Sequence, residues 1–84
     1  MKLNNNNIKN IKRDTAIIEK IKQGKNSGYG NPNYTIDVLI GDNILQLNTI
    51  DDYAMNYKID NHMIGKNANI EYVEYNGKYY IIKI

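Results

Sequence analysis

The sequence predicts an all-β or β-rich α+β domain: a small five-stranded antiparallel barrel with a short helical turn before its last hairpin. Three observations predict it. Isoleucine occurs fifteen times and tyrosine eight times among 84 residues, and β-branched and aromatic side chains fit a pleated, half-buried surface. Segments 34–49 and 68–84 each alternate apolar and polar residues about a glycine-bearing turn, the period-two pattern of strands with one buried face. Strand, glycine-rich loop, hairpin, helical turn and final hairpin then follow in the order of a small barrel.

Residues 1–10 are polar and asparagine-rich and read as a flexible N-terminal segment; residues 11–84 read as a single domain. Residues 14–23 admit two readings. Ile17, Ile18 and Ile21 form one stripe of a short helix capped by Asp14 or Thr15 and stopped by Gly24. Alternatively, Ile17 and Ile21 face inward from a strand, with Ala16, Ile18, Lys20 and Lys22 outside. Four β-branched residues within Thr15–Ile21 favour the strand. Residues 24–33, with three glycines, three asparagines and Pro32, form an irregular loop.

Tyr34, Ile36, Val38 and Ile40 alternate with Thr35, Asp37 and Leu39, and Gly41-Asp42 suits a type II′ turn. That turn pairs Ile40 with Asn43, Val38 with Leu45, Ile36 with Leu47 and Tyr34 with Thr49, leaving Leu39 and Ile44 outside among polar neighbours. Tyr53, Met55, Tyr57 and Ile59 alternate as in a strand. Asp60 to Gly65 reads as one helical turn, Asp60 the cap and Gly65 the stop. In the last hairpin a two-residue Asn76-Gly77 turn sets Ile70 against Lys83 and Glu74 against Tyr79. A three-residue Tyr75-Asn76-Gly77 loop with a bulged Gly77 instead gathers Ala68, Ile70, Tyr72, Tyr80, Ile82 and Ile84 on one face, and is the register expected.

On this order of elements, residues 14–84 resemble the OB-fold and SH3-like small barrels. The resemblance implies a closed or nearly closed barrel. It does not fix a function, because these folds host many.

Composition narrows the function classes. A domain of this size buries only a modest core, leaving little room for a deep substrate cavity. Cysteine is absent, which removes disulfides and thiolate metal sites and fits a reducing, cytoplasmic setting. No apolar run approaches the roughly 20 residues of a membrane span, and the N-terminus lacks a signal-peptide pattern. His62 is the lone histidine and Ser27 the lone serine, so no nucleophile–base pair is evident. Asp51, Asp52 and Asp60 lack calcium-loop spacing. Gly24 to Gly30 lacks both the Walker pattern and the third glycine of a dinucleotide fingerprint. The expectation is a non-enzymatic binding module with no cofactor, no metal and no membrane partner.

Two kinds of partner follow from the surface residues. Residues 1–25 carry seven positive and two negative charges, whereas the remainder carries four and seven; such asymmetry points to an anionic partner. Lys9, Lys12, Arg13, Lys20, Lys22 and Lys25 are candidates to meet phosphates, with Tyr29, Tyr34 and Tyr53 as stacking platforms for a single-stranded nucleic acid. The other reading is a small phage or mobile-element protein that binds and inhibits a host protein or nucleoprotein complex, of anti-CRISPR or other anti-defence type. It is motivated by small size and a codon-bias signature of A/T-rich genomes. Its interface candidates are acidic Asp51 and Asp52 and a patch of Val73, Tyr79 and Ile81 on the expected outer face. A third reading, a homo-oligomeric structural or interaction protein such as a homodimer, using an uncovered strand edge or that patch, is compatible with either.

Overall fold

In the computed structural model, which describes residues 10–84, five strands enclose the core. They are β1 (Lys12–Gln23), β2 (Tyr34–Ile40), β3 (Asn43–Asn48), β4 (Asn67–Tyr75) and β5 (Lys78–Lys83). Two 3₁₀ turns, η1 (Ala54–Lys58) and η2 (Asn61–Met63), link β3 to β4. The strands form a closed barrel in the order β1-β2-β3-β5-β4, with β4 returning to β1. This architecture is compatible with an OB- or SH3-like small barrel. One correction applies: β3 and β5 run parallel, through Leu47 opposite Tyr79 and Asn48 opposite Tyr80. A closed ring of five strands cannot alternate direction all the way round, so one neighbouring pair must be parallel.

Segment 14–23 is strand, not helix. Its first half pairs with β4 and its second half with β2. A bulge at Glu19 shifts the register between Ile18 and Lys20. Ala16 and Ile18 are therefore buried ahead of the bulge, and Ile21 packs on the core after it. The expected inward pair, Ile17 and Ile21, fails because one extra residue reverses the alternation.

The β2–β3 hairpin has the expected register, Ile40 opposite Asn43, Val38 opposite Leu45 and Ile36 opposite Leu47. Gly41 takes φ +61° whereas Asp42 stays at negative φ, as a type II′ turn requires. Asp60 caps η2 by accepting the His62 N–H at 2.7 Å, and Gly65 ends the segment at φ +85°. The strand expected over Tyr53–Ile59 is instead η1.

The last hairpin overturns the expected loop. Tyr75 pairs with Lys78, so Asn76 and Gly77 alone make the turn, at φ +52° and +76°. Both residues left-handed is the type I′ pattern, whose twist matches that of the strands. The bulge lies further along, at Ile82: Tyr72 faces Ile81, whereas Glu71 faces Lys83. Ile81 thus joins Ile70 and Tyr72 in the main core, with Ile84 packed against it. Tyr80 and Ile82 turn to the other face, where Tyr80, Val73 and Ile50 form a second buried cluster flanked by Ile11, Tyr53, Tyr75 and Ile82. The barrel survives the altered register because the displaced bulge restores the phase at Ile84.

Tyr72 donates its hydroxyl proton to Asp14 Oδ2 at 2.6 Å. Burial foremost, then that bond and the Asp14 charge, push its pKa up to about 12. A phenol held protonated in the fold but ionising near 10 in the unfolded chain stabilises fully below pH 10. That contribution is lost as pH rises from about 10 to 12, because there the unfolded state binds fewer protons. Denaturant titrations across this window should show wild-type stability falling and a flatter profile for Tyr72→Phe. Equal slopes would contradict the assignment.

Candidate functional site

The outer face of β1, β2 and β3 is laid out in three cross-strand rows. Register places Ile17, Leu39 and Ile44 in one row, Lys20, Asp37 and Gln46 in the next, and Lys22, Thr35 and Asn48 in the third. Inward side chains alternate with them, since neighbouring residues on a strand point to opposite faces. Beyond the third row lies a cleft of about 300 Å³. Gly24, Lys25 and Asn33 of the β1–β2 loop wall one side, and Lys78, beside the β4–β5 turn, walls the other. Tyr34, Thr35, Asn48, Thr49 and Tyr80 lie between them, and Asp51 lines one margin. The cleft is polar and open, with lysines on both flanks.

Hydrogen bonds fix the β1–β2 loop. Gly24 N–H donates to the Asn33 carbonyl at 2.9 Å, prolonging the β1–β2 ladder. Ser27 N–H donates to the Asn31 carbonyl and Gly30 N–H to that of Ser27, each at 2.9 Å, which closes the tip and sets out Tyr29 at 81% exposure. Asn33 is the hinge of a polar chain. The Tyr34 N–H donates to Thr49 Oγ1, and that hydroxyl donates to Asn33 Oδ1, both at 2.9 Å. Asn33 Nδ2 in turn donates to Asp51 Oδ1 at 2.6 Å. Asp52 Oδ1 accepts from Ser27 Oγ at 2.6 Å and Asn31 Nδ2 at 2.7 Å, and Tyr57 donates its hydroxyl to Asn31 Oδ1. Buried Asn56 donates Nδ2 to the Ile50 carbonyl at 2.8 Å and the Pro32 carbonyl at 3.1 Å. These bonds hold η1 against the loop, and they explain why an alternating apolar pattern there did not make a strand.

The sequence-derived candidates separate accordingly. Lys20, Lys22 and Lys25 come together along the face and its cleft. Arg13 lies elsewhere, on the β1–β4–β5 side, 3.5 Å from Glu71, which Lys83 also approaches at 4.0 Å. Lys12 is exposed at the start of β1, and Lys9 lies outside the described residues. Tyr34 packs against the main core and at the same time lines the cleft, whereas Tyr53 packs against the second cluster. Tyr79 is half-buried, edge-to-face with Tyr72 at 5.7 Å. The expected Val73–Tyr79–Ile81 patch does not form, because Val73 and Ile81 are fully buried on opposite sides of the hairpin. Asp51 and Asp52 are loop anchors, half-buried and accepting the bonds above.

Asp52→Ala removes the acceptor for Ser27 and Asn31 and should cost about 1.5–3 kcal/mol, the usual worth of bonds to a charged group. Asp52→Asn keeps an acceptor and tolerates the +66° φ at this position, so its loss should be smaller. Amide exchange across residues 27–31 is the readout, with faster exchange in the alanine variant expected.

Lys78, Thr35, Asn33 and Asn48 were not found from sequence. A three-residue loop would set Lys78 opposite Glu74; the two-residue turn sets it opposite Tyr75 instead. Asn48 sits opposite Thr35 in the third row and also meets β5 through the parallel contact, which no local pattern announces. Among the described residues, no three of His, Asp and Glu gather to hold a metal ion, and no helix is long and apolar enough to cross a membrane. The chain matches no family model, and comparison with curated proteins and with solved structures gives no match.

Proposed function

We propose that this chain is a non-catalytic OB-type barrel that binds single-stranded nucleic acid across β1–β2–β3. The strand order β1-β2-β3-β5-β4, the long bulged β1 shared by both halves, and the linking turns between β3 and β4 support the OB assignment. In that barrel class the β2–β3 face and the β1–β2 and β4–β5 loops take oligonucleotides or oligosaccharides. The observation that favours nucleic acid is the run of cations leading into one polar cleft. Lys25 and Lys78 line that cleft, with Lys22 in the adjoining row of the face and Lys20 one row further. A phosphodiester entering it gains from each lysine and releases condensed counterions. Thr35 and Asn48 supply a hydroxyl and an amide able to meet sugars or base edges.

A stiff duplex cannot thread between two loops that a flexible single strand can follow. Fluorescence anisotropy with a labelled oligonucleotide of about fifteen nucleotides, within the span of an OB surface, tests the reading. The single strand should bind more tightly than its duplex at low salt. Absence of binding to the single strand would refute it.

A further inference from the structure

Resting on that single-strand reading, we propose that the row Ile17–Leu39–Ile44 receives thymine methyl groups, so the barrel prefers thymine-bearing DNA over uracil-bearing strands. Ile17, Leu39 and Ile44 lie side by side on three neighbouring strands and face outward. None of them belongs to either core cluster, and Ile44 is 59% exposed. The row continues the cationic face: Lys20 is the next outward position on β1 beyond the bulge, Lys22 the one after. A strand seated by its phosphates along the lysines therefore carries its bases over these aliphatic side chains. Asp37 in the intervening row lies opposite Lys20, which keeps the phosphate path on the β1 side and the bases toward β2 and β3.

The occupant follows from what the face lacks. None of the three rows carries an aromatic residue; Tyr34 and Tyr80 line the cleft beyond them, so bases lying over the aliphatic row have no ring to stack on as they do on aromatic platforms. What remains is apolar contact, and the thymine C5 methyl is the apolar group on a base edge. Burying one methyl is worth about threefold to fourfold in affinity.

The test compares oligo(dT) with oligo(dU) of about twelve nucleotides, identical in backbone and charge, by anisotropy at one salt concentration. The wild-type chain should bind oligo(dT) at least about threefold more tightly, and Ile44→Ser should narrow that gap by weakening oligo(dT) more than oligo(dU). Equal affinities, or a gap unaffected by Ile44→Ser, would overturn the thymine assignment while the single-strand reading stands. Failure of both oligonucleotides to bind would overturn the two together.

Discussion

Ile81→Ala is expected to destabilise the fold by about 2–5 kcal/mol, the range for emptying a buried isoleucine site. Ile81 is fully buried and lies among Ile18, Val38, Ile70 and Tyr72 in the main cluster. The lost methyls would leave a cavity walled by β-strands already bonded on both sides, so collapse around it is limited. Native domains have only about 5–15 kcal/mol in hand, and a chain this short has a modest core. A midpoint fall of several degrees is therefore the least expected in a thermal melt. Ile82→Ala should cost less, near the average of about 1 kcal/mol for single substitutions, because Ile82 is only partly buried beside the second cluster. The three-residue loop register predicts the reverse order, with Ile82 inside and Ile81 outside. The pair of variants thus reads the register of the last hairpin directly.

Lys22→Glu combined with Lys78→Glu should weaken single-strand binding on the order of 10²-fold near 0.1 M salt, combining lost counterion release with new repulsion. Lys22 lies in the third row of the face and Lys78 on the far wall of the cleft, so the reversal acts from two strands on one phosphate path. Both side chains are exposed on strands that end at the cleft, and surface changes of this kind alter stability by only about 0.5 kcal/mol. Loss of binding with an unchanged melt is the expected combination. Arg13→Glu serves as a contrasting reversal. It removes the contact with Glu71 on the β1–β4–β5 side and should leave affinity much closer to wild type.

How much of this was legible in the sequence follows from where the alternation is broken. The β2–β3 hairpin could be read because its alternation is uninterrupted and Gly41 marks the turn type. β1 and β5 could not be phased, because each carries a bulge at a residue of no special type, Glu19 and Ile82. The trace they leave is a pair of inward isoleucines three residues apart, Ile18 with Ile21 and Ile81 with Ile84. Strict period-two reasoning treats that spacing as an error and moves the irregularity into the turn. Segment 53–59 misled for a different reason. Its conformation is pinned by Asn56 bonding to the Pro32 and Ile50 carbonyls, a long-range polar constraint invisible to local pattern.

The same division holds at the site. Lys20, Lys22 and Lys25 could be found because they follow one another along β1 and into its loop. The opposite wall could not, since β5 brings Lys78 to the cleft beside Asn48 only through the parallel β3–β5 contact. Tyr34 and Tyr53 were attractive as stacking rings by residue type alone, yet small barrels also need aromatic mass to fill their interiors. Both serve that need here, Tyr34 while also lining the cleft.

Everything proposed for function depends on lysines from separate strands gripping one chain of phosphates. Measuring affinity for a labelled single strand across a series of salt concentrations tests this most directly. Four engaged lysines should give a log–log slope near −3, at about 0.7 per contact on single strands, falling to about −1.5 in the Lys22→Glu, Lys78→Glu variant. A slope near zero, or the same slope in both proteins, would contradict it.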